Sequence, residues 1–328
     1  MVKLRAGSKN QDGETGTKNG RKIPQTAPLI VVLFLLMTYF SVASEYFFQV
    51  ENFKNVLANA AVTGIVCIPS TFLIIAGQID LSVGSAAAVS GMLLAQMVNA
   101  HGVVIGLLSV LAFGLAFGCF NGFIVTVIGV NSLITTLGGL GFLYGVALLI
   151  GNGQTVGMDN FEWLGVAQPL NIPLPIIIFL AIAVMGSITL RYTKFGRSIY
   201  AIGANPNAAR VVGIRSKRII FQTFILSAVA SALAGAVLTS QLSAGSPNSG
   251  LGLELQVVTA IVLGGASLAG GRGSIFGTVL GLLIVGILNN GLILLDVPTF
   301  WQRIAQGLML ILAVSFDSIR AKLNNNRS

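Results

Sequence analysis

An all-α polytopic membrane protein of about ten transmembrane helices is the fold this sequence predicts, and three observations carry the prediction. The first is composition. Of 328 residues, 54% are hydrophobic and 9% charged, whereas a soluble domain carries roughly a quarter charged residues. A chain so poor in polar groups can neither clothe a globular surface nor stay disordered in water. The second is a succession of apolar segments separated by polar, glycine-rich or proline-bearing stretches. The third is the placement of the 19 Lys and Arg residues, which gather in alternate connections.

Taken in order, residues 1–27 read as a flexible basic cytoplasmic tail. A cleaved signal peptide fits poorly, because the tail is too long and no soluble domain follows the first apolar run. The first span is expected at Pro28–Ser44, near the ~20 residues needed to cross hydrocarbon. Further spans are expected at 55–76, 84–99, 103–128, 131–150, 173–190, 219–241, 257–270, 274–295 and 300–316. Several fall short of 20 residues, so they are tilted, broken, re-entrant or shielded by neighbours. Residues 28–316 thus form one transmembrane domain that includes a basic loop at 191–218, and 317–328 form a cytoplasmic C-terminal tail. Glycines recur every four residues at Gly114, Gly118 and Gly122 and at Gly273, Gly277 and Gly281. Such ridges let helix backbones approach closely.

Six basic residues lie in the N-terminal tail, seven in 191–218, Arg272 between two spans and three in the C-terminal tail, so 17 of 19 share one side. The loop 151–172 carries Asp159 and Glu162 and no base. This is the bias of the positive-inside rule, and it places both termini in the cytoplasm. It also explains the net charge of +9 without nucleic acid. Cys67 and Cys119 sit in apolar stretches and are expected as buried small hydrophobes, and with His101 the only histidine no multi-histidine metal site can form within one chain.

Equipment for chemistry is sparse. There is no GxxxxGK[ST] sequence, and Gly264, Gly265 and the run Gly270–Gly273 lack a strand–loop–helix setting. No cofactor is expected on this chain, so uphill movement of a solute would draw energy from a partner or an ion gradient. Asp80 and Ser82 interrupt an apolar region in the segment GQIDLSVGS. Asp80 can cap a helix beginning near Leu81, or it can serve a polar pathway or gate. Asn121 and Asn131 flank a turn, and Asn289 and Asn290 form a second polar interruption. Buried amides of this kind bond a neighbouring helix or touch a hydroxylated solute. Glu254 stands at an external helix entrance, as a cap or a docking contact.

The loop 191–218 holds the most specific local signal. Asn205 is a good N-cap, Pro206 suits the first helical position, and Gly213 suits the position just past the end. These residues predict a short helix at 206–212, with small Ala208 and Ala209 on it and Arg210 projecting. That element suits docking to another protein.

At this point an ordered set of motifs stands out: IDLSVGS at 79–85, NG at 121–122, ITTLG at 134–138, TKFGRSIYAIGANPNAARVVGI at 193–214, VLGGASLAGGRGSIFGTVLG at 262–281 and NNGL at 289–292. Over roughly residues 28–320 the chain resembles the membrane permease subunits of bacterial ribose-type ABC importers, the group that also serves arabinose, xylose and galactose. The resemblance implies the ABC importer permease fold in the bacterial inner membrane. It also implies two permease chains (identical or close paralogues), a cytoplasmic ABC ATPase that carries ATP and Mg, and a periplasmic sugar-binding protein. The GxNxxAAR element, with Gly203, Asn205, Ala208, Ala209, Arg210 and then Gly213, is similar to the helix that engages the ATPase. The chain departs from the family at Asn207, where members often have Glu. The rival from another class is an ion-coupled secondary transporter, which needs embedded ionisable groups; Asp80 is the one candidate.

Overall fold

The computed structural model describes residues 27–159 and 161–325, with side chains up to residue 315. The first 26 residues of the expected N-terminal tail, and the basic side chains of the expected C-terminal tail, lie outside the described residues. The helices are α1 (Ala27–Ala43), α2 (Val50–Ile75), α3 (Val83–His101), α4 (Val103–Phe123), α5 (Ser132–Ile150), α6 (Trp163–Val166), α7 (Leu174–Tyr192), α8 (Lys194–Ala204), α9 (Pro206–Val211), α10 (Ser216–Leu242), α11 (Leu253–Leu263), α12 (Ile275–Leu294) and α13 (Thr299–Asn325). A π-helical turn, Ile124–Ile128, extends α4, and two-residue strands β1 (Val156–Gly157) and β2 (Ala244–Gly245) pair antiparallel.

Each expected span overlaps a helix. Among the described residues, seven helices are long and apolar enough to cross a membrane, whereas α1 and α11 are shorter apolar helices. The segment expected at 257–270 needs the largest correction. Its helix α11 starts at Leu253 and ends at Leu263, where Gly264 and Gly265 (φ +90°) turn the chain. The last span also differs, because α13 runs on to Asn325 through most of the segment expected as a tail.

The hydrophobic pattern decides which helices are central. From Ala60 to Ile75 every residue of α2 is buried, whereas α4, α5 and α7 each bury a single stripe. An all-round apolar helix belongs inside, while lipid accepts the outer faces of peripheral ones. Phe34, Val42, Val104, Phe142 and Met185 accordingly stand exposed on the rim. The glycine ridges pack helices closely as their spacing predicts, except that Gly273 lies ahead of α12 and outside its ridge. Gly114, Gly118 and Gly122 of α4 meet Val229, Ile225 and Phe221 of α10, while Gly277 and Gly281 of α12 lie on the Gly264 and Ala260 carbonyls.

Two non-helical stretches, 76–82 before α3 and 243–252 before α11, run back into the bundle. The second meets the first turn of α3 where Gly84 and Gly250 touch backbone to backbone, and a β-carbon on either would collide with the other's carbonyl. Both α3 and α11 therefore begin inside the protein and not at its surface. The connections then separate charge. Arg191, Lys194, Arg197, Arg210, Arg215, Lys217, Arg218 and Arg272 gather at one end of the bundle; Glu45, Asp159, Glu162 and Asp296 lie in connections at the other, with Glu51 in the first turn of α2. Lys54 and Arg303 are the exceptions, and Lys54 pairs with Glu51 at 3.9 Å.

Candidate functional site

The candidate residues fall into three places. Asp80, Ser82 and Asn121 come together in the first. Asp80 is 5% exposed, and its Oδ1 accepts the Ser82 backbone N–H at 3.0 Å and the Ser82 hydroxyl. Its Oδ2 accepts the Ser227 hydroxyl of α10 at 3.0 Å. Asn121 Nδ2 donates to Ser82 Oγ at 3.2 Å, and Asn121 Oδ1 has no partner. The expected helix cap is corrected here. α3 starts at Val83, not near Leu81, so Asp80 organises the turn ahead of the helix. The same stretch is tied to α5, since Ser132 Oγ accepts the Ile79 N–H at 3.3 Å and Thr136 donates to the Ile79 carbonyl at 3.4 Å.

Ser227, Ser132 and Thr136 were not singled out from the sequence. The available signal was a hydroxyl on an otherwise apolar helix, which is too common to be selective. Donors from the protein already occupy both Asp80 oxygens. That suits a carboxylate that locks an irregular backbone between α3, α4 and α10.

Asn289 and Asn290 lie elsewhere. Asn290 exchanges reciprocal amide hydrogen bonds with Asn52 of α2, at 2.8 and 3.1 Å, and Asn289 Oδ1 accepts from Gln306 Nε2 of α13 at 3.0 Å. Both line a cavity of ≈ 520 Å³ between α2, α11, α12 and α13. Glu254 is half-buried in the first turn of α11, with its carboxylate against Gly84, so it stands inside the protein and not at an external entrance.

The third place is α9. Asn205 Oδ1 accepts the N–H groups of Asn207 and Ala208, both at 3.0 Å, so the N-cap is as expected. Gly213 (φ +82°) donates to the Arg210 carbonyl and closes the helix. The faces need correction. Ala209 is 2% exposed and packs inward, and Gly203 abuts the Ile75 carbonyl and the Gly271 N–H. Both lie against residues of this chain. The outward surface instead consists of Asn207, Ala208 and Arg210 with Val211 and Val212, which are 87% and 74% exposed. Two bare valines in a basic loop form an apolar patch with a cationic neighbour. The sequence offered them only as part of a hydrophobic run. Cys119 is likewise exposed, not buried.

Comparison with known proteins follows from this geometry. The family model described as "Branched-chain amino acid transport system / permease component" matches residues 52–314. The ribose import permease protein of Escherichia coli (strain K12) is 37% identical over 93% of this chain and 98% of its own length. The ribose import permease protein of Bacillus subtilis (strain 168) is 38% identical over 87% of this chain and 90% of its own. For the L-arabinose ABC transporter permease protein of Azospirillum brasilense the identity is 35% over 89% and 87%. No solved structure matches the chain. A family match that runs from α2 into α13, on a bundle of apolar helices with an exposed capped helix at its basic end, makes this chain a multi-pass membrane permease component of the branched-chain amino acid transport system / permease component family.

Proposed function

We propose that this chain is the transmembrane subunit of an ATP-driven importer that carries a monosaccharide of the ribose type across the bacterial inner membrane. ATP and Mg bind a separate cytoplasmic ATPase, a periplasmic sugar-binding protein delivers the solute, and a second permease chain completes the pathway. The supporting observation is near-full-length identity to permeases named for ribose and arabinose. The basic end of the bundle, and with it α9 and both termini, faces the cytoplasm. An ion-coupled secondary transporter is the poorer reading, because Asp80 is already engaged by three donors of this chain and the L-arabinose relative is named an ABC transporter permease.

In this reading α9 is the contact through which ATP hydrolysis reaches the membrane domain. Val211 and Val212 enter an apolar groove on the ATPase, and Arg210 adds a charge-assisted bond to a carboxylate or to helix-end carbonyls. The test is copurification of the ATPase with nanodisc-embedded permease, together with hydrolysis stimulated by the sugar-binding protein. Val211→Glu should lose ATPase capture and stimulation while insertion stays normal. Leu170→Glu, 90% exposed in the loop at the opposite end, should keep both. Wild-type capture and stimulation by Val211→Glu would remove α9 from the coupling route.

A further inference from the structure

We infer that the cavity between α2, α11, α12 and α13 is a resting place, within a single permease chain, for a neutral polyhydroxylated solute of monosaccharide size. This deepens the importer reading and rests on it. The volume, ≈ 520 Å³, lies in the roughly 300–1,000 Å³ range of small-molecule sites. Its walls reach from the outer halves of α2 and α12 and the first turns of α13 down to Gly252 and Gln256 at the start of α11. Because α11 begins inside the bundle, the cavity extends from the end of the protein with acidic connections toward its middle.

The lining chemistry selects the ligand class. Apolar walls such as Val56, Leu282 and Val285 are set with Asn59, Thr63, Gln256, Asn289, Gln306 and Arg303. Amides inside a membrane bundle are expected to bond neighbouring helices, and that accounts for part of the set. Asn290 pairs with Asn52 and Asn289 with Gln306. Asn59 and Arg303, both exposed side chains, make no hydrogen bond or ion pair among the described residues, and both line the cavity. An amide offers two donors and an acceptor, and a sugar hydroxyl both donates and accepts, so an amide-lined wall can satisfy successive hydroxyls. No carboxylate lines the space and one guanidinium does, which disfavours an ammonium-bearing or cationic solute. Gly307 has open space where a β-carbon would stand, and a β-carbon on Gly286 would first meet Ala60 at 3.4 Å. Both glycines lie on the wall.

The experiment uses the permease with its ATPase and binding protein in proteoliposomes, with radiolabelled D-ribose as the probe. Ribose delivered per ATP hydrolysed should fall about tenfold in Gly307→Phe, which fills the cavity. It should fall several-fold in Gln306→Leu, since one net hydrogen bond corresponds to a factor of roughly 2–13. Leu308→Phe, on the exposed side of α13, should match the wild type. In a Cys119→Ser background, D-ribose should slow labelling of Asn59→Cys by a charged thiol reagent, and L-leucine should not. Gln306→Leu carries the test if Gly307→Phe fails to assemble. Wild-type delivery by the assembled variants, or protection by L-leucine in place of D-ribose, overturns the proposal and assigns the space to lipid, the second chain or another solute. A wild-type complex without binding-protein-stimulated hydrolysis fails earlier, at the importer reading itself, and takes this inference with it.

Discussion

Asp80 shows how a single side chain holds a stretch of backbone that has no helix to satisfy it. A buried polar group without a partner costs about 1–3 kcal/mol, and here one carboxylate receives three donors from residues 82 and 227. Asp80→Leu would strand those donors and should lower the melting temperature of the purified permease markedly. Asp80→Asn keeps the acceptor facing Ser82, and the Ser227 hydroxyl can turn to accept from the new amide, so near-normal stability is expected. Transport should persist in Asp80→Asn; its loss at normal stability would show that the charge itself is required. Ser227→Ala should destabilise by about 1 kcal/mol, measured as a shift in the same melting curve. The sequence made Asp80, Ser82 and Asn121 visible because polar residues are rare in these segments. It could not show that Asn289 and Asn290 stand apart from them, since that depends on which helices pack together.

At the scale of the element, α9 was legible almost atom by atom. Asn205, Pro206 and Gly213 carry local chemistry, and capping acts within a few residues. Which face α9 shows was not legible, because tertiary contact with α8 and α10 turns Ala209 inward. Asn205→Ala removes two hydrogen bonds and should cost about 1 kcal/mol of helix stability, read as faster amide hydrogen exchange over 206–211. The shortness of α11 was equally hidden. Hydropathy reports an apolar run and not where its helix breaks, and Gly264 and Gly265 lie inside the run. At the crossing of α3 and α11, Gly84→Ala should prevent normal assembly, because the added methyl meets the Gly250 carbonyl and Glu254. A monodisperse, fully stable Gly84→Ala permease in gel filtration would show that the two half-inserted helices can separate there.

Across the whole molecule, the membrane class and the order of spans followed from averages over many residues, which is why they were the securest part of the sequence reading. Orientation rests on the sorting of basic and acidic connections to opposite ends. In intact cells an impermeant thiol reagent should label Glu162→Cys from outside and leave Val211→Cys unlabelled until the membrane is opened; the reverse pattern would invert the protein. The junction behind α9 has a mechanical consequence. Gly203 rests on the Ile75 carbonyl, Gly271 N–H bonds that carbonyl at 2.8 Å, and Tyr200 donates to the Gly273 carbonyl at 2.8 Å. At Gly203 and Gly271 main chain presses on main chain, with no flexible side chain between to absorb a displacement. A push delivered to α8 and α9 therefore arrives at the end of the central helix α2 and at the base of α12 with little damping, so the joint works as a stiff lever rather than a spring.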